Sequence, residues 1–401
     1  LGIAQKEWQA INLSQRKVCM LKLASDLEQI EQDAAETMAN EMGKPWRQGA
    51  REISKCAWLC RWFANSAETY LTIDSISTEY QRSYVQFEPL GCILAIMPWN
   101  YPFWQVFRCA VPAIMAGNGI LLKHAPSTQG CAQIIEQLFV NAGFPDGLLV
   151  NIKVENSRVE SLIAHASVNM ITFTGSTGVG RVVAKQAAEY LKPSVLELGG
   201  SDPYLIFDDA ELRNAVEKCA QSRWLNTGQS CISAKRIIVI DEIYDEFMEQ
   251  FLAFARQYEF INPLSRPFDG YFVGPMARLD LRDQLAKQVS DSIDLGACCE
   301  LGGQIPDARG AYYPVTVLSN VSPGMPAFDQ ELFGPVATII RAKDDRHMIA
   351  LANKTKYGLG AALFTKSAVR IAQYPKLLQV GNIAINDIVK SDPRLPFGGY
   401  N

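Results

Sequence analysis

Histidine is scarce in this sequence, and so is every pattern that would tie its cysteines to a metal. Three histidines and ten cysteines occur among 401 residues. Cys56 and Cys60 lie close together and Cys298 and Cys299 are adjacent, but neither pair has further Cys or His partners at zinc-site spacing. No metal site is therefore expected. The cysteines form no compact disulfide framework either, and they read as buried reduced thiols in a cytoplasmic protein. No Lys/Arg-rich run occurs and the net charge is −4, which argues against nucleic acid as a partner. No apolar run reaches the roughly 18–20 residues of a membrane span, so no membrane association is expected. Internal repeats and low-complexity segments are missing. Residue 1 is Leu, and Gln5-Lys6-Glu7-Trp8 opens an amphipathic helix rather than a signal peptide.

What the chain does have is apolar material, 48% of its residues, in a length that suits two or more domains. From about Ile3 to Met42 apolar residues recur at helical spacing, Leu23, Leu27, Ile30 and Met38 among them. Gly43-Lys44-Pro45 marks a turn, and a further helix runs to about Tyr70. Residues 73–87 alternate in the manner of paired strands. From Gly91 the rhythm changes. Cys92–Met97 is a nearly continuous apolar run ending at Pro98, as in a parallel strand buried on both faces. Strands at 119–123, 148–152 and 170–173 then alternate with helices at 101–115, 127–142 and 177–190. Such alternation predicts a doubly wound α/β sheet. A second alternating series follows residue 200, with strands at 236–240, 338–340, 362–364 and 382–385, so a domain boundary is placed there.

Four segments carry residue types suited to chemistry. Gly228-Gln229-Ser230-Cys231 follows the helical stretch 212–224, and a thiol in a loop near backbone N–H groups can be exposed and lowered in pKa. Glu197 ends the apolar Val195-Leu196-Glu197-Leu198, where a carboxyl should be raised in pKa and serve as a base near neutrality. Pro98-Trp99-Asn100 ends a buried strand, and an Asn amide there can donate to a developing oxyanion. Gly175-Ser176-Thr177-Gly178-Val179-Gly180 joins a strand to a helix and suits a pyrophosphate, although its G-x-x-G-x-G spacing departs from the usual dinucleotide fingerprint.

In this order the segments resemble the aldehyde dehydrogenase superfamily over essentially the whole chain. The resemblance rests on Pro98-Trp99-Asn100, Leu122-Lys123, Phe173-Thr174-Gly175-Ser176, Glu197-Leu198-Gly199-Gly200, Gly228-Gln229-Ser230-Cys231, Glu331-Leu332-Phe333-Gly334-Pro335 and Pro396-Phe397-Gly398-Gly399. It implies two doubly wound α/β domains plus a small β oligomerisation flap. Residues 1–70 and 90–200 would form the cofactor-binding domain, 71–89 the oligomerisation strands and 201–401 the catalytic domain. Cys231 would be the nucleophile, forming a thiohemiacetal and then a thioester. Asn100 and the backbone N–H of Cys231 would hold the oxyanion, and Glu197 would activate water. The cofactor is implied to be NAD or NADP, held by Trp99, Lys123, Gly175, Ser176, Glu331 and Phe333. Many NAD-preferring members have a Glu where this chain has Pro126; the reading leans to NAD. Association as a homodimer or homotetramer is implied.

Within the superfamily the chain is most similar to succinate-semialdehyde dehydrogenases. Arg108, eight residues after Asn100, matches an Arg that pairs with the substrate's distal carboxylate. Trp104 and Trp224 are candidate funnel walls that alone would read as core aromatics, and Trp104 and Phe397 are candidate substrate-binding residues. Some members carry a second Arg just before the Gly-Gln-x-Cys motif; here Leu225-Asn226 stand there, with Arg223 nearby. Two other readings are a non-redox thiol hydrolase or esterase using Cys231 with Glu197, and a catalytically silent structural or binding protein on the same fold. Only a dehydrogenase would produce reduced cofactor.

Overall fold

The computed structural model describes residues 1–267 and 269–400. They divide into two compact units, one of residues 1–41 and 49–198, the other of 42–48 and 199 onward. The short segment 42–48 joins the second unit through close packing: the Trp46 N–H donates to the Pro263 carbonyl at 2.8 Å, and Gly43 lies against Pro275.

The apolar N-terminal region forms α1 (Gly2–Ala10), α2 (Leu13–Gln29) and α3 (Glu31–Met42), and α4 (Trp46–Leu71) follows. Asn12 punctuates the series by capping α2, its side chain accepting from the Gln15 N–H at 2.9 Å. The expected paired strands at 73–87 are shorter than their pattern suggests. Asp74–Ser75 pairs antiparallel with Tyr84–Val85, and Ile73, Ile76, Tyr84, Val85 and Phe87 are exposed around them.

The first unit's sheet contains β1 (Cys92–Met97), β2 (Gly119–His124), β3 (Leu149–Asn151), β4 (Met170–Thr174) and β5 (Ser194–Glu197). Its spatial order is β3-β2-β1-β4-β5 and every pairing is parallel. β1 is the middle strand and is buried at all six positions, which explains its unbroken apolar run. Helices α5 (Trp104–Met115), α6 (Gln129–Asn141), α7 (Val159–Ala164) and α8 (Thr177–Glu189) connect the strands.

The second unit's sheet is larger. It contains β6 (Asp202–Ile206), β7 (Ala234–Ile240), β8 (Cys298–Leu301), β9 (Thr316–Ser319), β10 (Val336–Ala342), β11 (Gly360–Phe364) and β12 (Asn382–Ile385). The order is β8-β9-β10-β7-β6-β11-β12, parallel except for the antiparallel edge pair β8–β9. Helix α9 (Leu212–Trp224) joins β6 to β7. β6, β8 and β9 are absent from the sequence expectation. β6 starts with Asp202-Pro203, where a proline blunts the strand signal and the register with β7 shifts. β8 is an edge strand with both cysteines exposed, so it lacks an apolar run. Among the described residues, no helix is long and apolar enough to cross a membrane.

One buried carboxylate sets where α5 begins. Glu52 on α4 is 4% exposed, and its Oε1 accepts from the N–H groups of Phe103 and Trp104, each at 2.9 Å. Those donors belong to the helix end that has no intrahelical acceptors. Glu52→Ala strands both, each unsatisfied buried group costing about 1–3 kcal/mol. We expect urea unfolding to show a loss of about 2–6 kcal/mol for Glu52→Ala and a smaller loss for Glu52→Gln, which retains an acceptor.

Candidate active site

The first unit gathers its candidate side chains along one edge of its sheet. β1 runs into Pro98-Trp99-Asn100, β2 ends in Lys123-His124, β4 runs into Gly175-Ser176 and β5 ends in Glu197. Because these strands are parallel, all are C-terminal ends. The chain winds outward from β1 to β3 and restarts at β4 on the other flank of β1. Open α/β sheets bind ligands at such a reversal. Asn100 is 5% exposed there and Trp99 is half-buried.

Glu197 and Arg108 meet at this edge. The Arg108 Nη1 lies 4.0 Å from the Glu197 Oε2, with both side chains largely shielded. Burial pushes the Glu197 carboxyl above the usual carboxylate range, and the Arg108 charge opposes that rise. The Gly175 N–H donates to the Glu197 carbonyl at 3.0 Å, which ties this carboxylate's backbone to the turn entering α8. Trp104 sits one helical turn before Arg108, buried at 5% exposure, with the Lys55 ammonium 3.8 Å from its ring centroid.

Two further strand ends suit a dinucleotide. Ser176 occupies the cap position of α8 but makes no side-chain capping bond, so α8 presents its first N–H groups and its positive dipole end beside an uncommitted hydroxyl position. Gly180 lets α8 pack onto Leu198, whose side chain occupies the space a Cβ would need. The Lys123 ammonium, lowered by burial, donates to Asn156 Oδ1 at 2.6 Å. His124 is buried and pushed down to about 4 by desolvation, so it is neutral at physiological pH. Its Nδ1 accepts from the Ala125 N–H at 2.8 Å, which assigns the proton to Nε2 and a donated bond to the Pro102 carbonyl at 2.9 Å. Pro126 opens a short turn before α6 and brings no charge.

The second unit holds the thiol. α9 is followed by a turn in which Asn226, Thr227 and Gly228 all have positive φ, at 55°, 55° and 71°. At Gly228 a Cβ would collide with the Gly334 carbonyl, so this position needs glycine. Gln229 is buried and spans the turn, donating to the Asn226 carbonyl at 3.2 Å and accepting from the Ala277 N–H at 2.9 Å. Cys231 follows, half-buried, just before β7. Glu331 and the half-buried Phe333 lie in the turn before β10, β7's neighbour. Phe397 is half-buried near the chain end, and the adjacent Gly398 carbonyl accepts from Asn382 Nδ2 at 2.8 Å.

Arg223 does not serve as a second substrate cation. It is fully buried and donates to the carbonyls of Leu332 at 2.8 Å, Gly228 at 3.4 Å and Gly334, and to the Ser233 hydroxyl. Trp224 is not a funnel wall either. It is fully buried, with ring centroids 5.3 Å from Phe251 and 4.6 Å from Tyr258. Sequence reasoning missed Lys235, which is 2% exposed and whose Nζ lies 3.3 Å from Glu331 Oε1. Its signal was visible: Lys235-Arg236 are two cations at the head of an otherwise apolar strand.

The model of the aldehyde dehydrogenase family matches residues 3–401. A succinate semialdehyde dehydrogenase [NAD(P)+] of Escherichia coli is 42% identical over 394 residues, covering 98% of this chain and 85% of that protein. A probable succinate-semialdehyde dehydrogenase [NADP(+)] of Synechocystis is 40% identical over 402 residues, covering 100% of this chain and 88% of its own. The crystal structure of succinic semialdehyde dehydrogenase from Streptococcus pyogenes with NADP+ superposes with a TM-score of 0.96 at 30% identity, covering 99% of this chain and 87% of that one. All three names include NADP, so the lean toward NAD gains no support.

The Arg108–Glu197 pair has a pH signature. A base must be deprotonated to act, so with Glu197 as the base the acid limb of turnover would follow its carboxyl. Arg108→Met removes the charge that holds this carboxyl down and leaves the burial that pushes it up. The acid limb of the kcat–pH profile should move to higher pH; an unmoved limb would show that the two groups do not communicate.

Proposed function

The chain belongs to the aldehyde dehydrogenase family, and on that premise we propose that the aldehyde it oxidises is succinate semialdehyde. As a family member it is an NAD(P)-dependent enzyme that converts an aldehyde to a carboxylate. The observation carrying the substrate proposal is Arg108, a partly exposed guanidinium beside Glu197 at the ligand edge of the first sheet. A guanidinium there suits a substrate that carries a carboxylate at its far end, since its five N–H donors can bind a second carboxylate bidentately. The relatives named as succinate-semialdehyde dehydrogenases support the same reading.

The proposed chemistry assigns one role to each candidate residue. The Cys231 thiolate attacks the aldehyde carbon and forms a thiohemiacetal. The Asn100 amide and the Cys231 backbone N–H hold the resulting oxyanion; one such donor is worth about 2.7–4 kcal/mol of barrier. NAD(P), when bound, supplies the acceptor for the hydride that leaves the thiohemiacetal carbon. A thioester then remains on Cys231. Glu197, with its raised carboxyl pKa, takes a proton from the water that attacks this thioester, and succinate departs as the thiolate is regenerated. Trp104 and Phe397 contact the substrate.

For the cofactor, the first unit's residues fit a dinucleotide: the α8 N-terminus with Gly175 and Ser176 for the pyrophosphate, Lys123 for the adenosine ribose, and Trp99 packed alongside. Glu331 takes the nicotinamide ribose and Phe333 the ring. The first unit is accordingly the cofactor-binding domain and the second the catalytic one. Pro126 offers no carboxylate to repel a 2′-phosphate, and we assign use of NADP as well as NAD, in keeping with the relatives' names. The exposed apolar side chains around Asp74–Ser75 and Tyr84–Val85 fit a flap that pairs subunits into a dimer or tetramer. A nucleophilic thiol that must stay reduced favours the cytoplasm.

Arg108→Ala should raise KM for succinate semialdehyde by about ten- to a hundredfold, the scale of a lost charged hydrogen bond, and change KM for butanal little. Equal effects on both aldehydes would end the assignment. Glu197→Gln should release about one equivalent of reduced cofactor per site, read at 340 nm, and then stall at the thioester. Continued steady turnover would remove Glu197 from the base role.

A further inference from the structure

Lys235 is the second residue of β7 and lies at that strand's N-terminal end. An ammonium has three protons to place, and burial makes each one costly to leave unbonded. Its Nζ lies 2.7 Å from the Ser230 carbonyl, 2.8 Å from the Cys231 carbonyl and 3.3 Å from Glu331 Oε1. The same Glu331 oxygen accepts from the Gly200 N–H at 3.1 Å. Gly200 in turn packs on the Cys231 carbonyl: a Cβ there would stand 2.5 Å from that oxygen. The four residues close a ring, Cys231 to Lys235 to Glu331 to Gly200 and back to Cys231. The Phe333 ring centroid is 5.9 Å from the same ammonium. Burial lowers the Lys235 ammonium, and the charges of Glu331 and Asp202 act to hold its proton.

We propose that Lys235 is a positioning residue that fastens the nucleophile's turn to Glu331, so that the thiol and the carboxylate for the nicotinamide ribose are held as one rigid element. The proposal rests on the roles given above to Cys231 and Glu331. It follows from the acceptors themselves. Two of them are consecutive carbonyls of the nucleophile turn, one belonging to Cys231 itself. The third is the side chain assigned to the cofactor. A lysine serving only to fill the strand would need no such pair of partners, and an apolar side chain could replace it.

The test reads the thiol and the cofactor separately. Alkylation of Cys231 by iodoacetamide is followed by mass spectrometry of its peptide, without substrate or turnover, and KM for NAD(P) is measured in steady state. Lys235→Met should slow alkylation about tenfold and raise KM for NAD(P) by a similar factor, on the scale of one lost charged hydrogen bond. Glu331→Gln touches neither the thiol nor its carbonyl, yet should slow alkylation about threefold through Lys235. The double variant Lys235→Met/Glu331→Gln should be no slower to alkylate than Lys235→Met alone. Multiplying effects in the double variant, or an unchanged alkylation rate in Glu331→Gln, overturns the proposal. If Lys235→Met does not fold, Glu331→Gln decides alone. Full turnover by Cys231→Ala would instead defeat the assignment of the nucleophile, a result distinct from either alkylation outcome.

Discussion

Buried cations bonded to backbone carbonyls hold the second unit's site together. Arg223, Lys235 and Arg236 are all essentially excluded from water. Arg223 binds the carbonyls of Gly228, Leu332 and Gly334, and Lys235 those of Ser230 and Cys231. Arg236 binds Ser201 and, at the end of helix Asp345–Asn353, the carbonyls of Leu351 and Ala352, where the helix dipole is negative. Desolvation pushes Arg223 down to about 9 and Arg236 to about 10, still high enough to keep both charged at neutral pH. A buried cation of this kind adds direction rather than bulk. It fixes carbonyl positions, and so fixes the turns carrying Cys231 and Glu331, in a way that an apolar core cannot.

The need for these cations follows from which sheet edge each unit uses. In the first unit the candidate residues stand at C-terminal strand ends, where helices begin and their N–H groups favour anions. In the second unit Gly200, Cys231 and the 331–335 turn all precede strands, β6, β7 and β10, and so lie at N-terminal strand ends. Helices finish at such an edge. α9 ends at Trp224, shortly before Cys231, and presents carbonyls toward that side. Carbonyls and the negative end of a helix dipole disfavour a thiolate. Lys235 and Arg223 bring positive charge to this edge, bonded to the carbonyls of the turns at 228–231 and 332–334 rather than to those of α9.

This arrangement divides what the sequence can reveal from what it cannot. β1, β2 and β4 are visible as apolar runs because both their faces are buried, and α9 is found at its observed limits. β6 is hidden by Asp202-Pro203 and β8 by its exposure at the sheet edge. The motifs single out Cys231, Glu197, Asn100 and Glu331 as candidates because the chemistry they suit depends on residue type and local spacing. The supports escape notice because their partners are remote in sequence. Glu52 serves N–H groups fifty residues on, and Arg223 reaches the turn before β10. A Trp beside that Arg reads equally as a ligand contact or a core residue, and only packing against Phe251 and Tyr258 decides for the core.

Arg108 too is aimed by buried polar groups. Glu52 fixes the first N–H groups of α5 and His124 fixes the carbonyl of Pro102, so the helix start is set by two buried polar side chains, neither of which is in the substrate role. Arg108 lies one turn beyond. Pro112 stands four residues after it and has no N–H to donate to the Arg108 carbonyl, so the regular helix bond is missing at that point. The helix is therefore anchored at its start and relieved at Arg108. The anchored turn constrains where the Arg108 guanidinium stands beside Glu197, while the Arg108 carbonyl lacks the regular helical donor. The placement of Arg108 thus depends on more than its own charge. It depends on the neutral state of His124, which an ionised imidazole pressed against Lys123 would disturb.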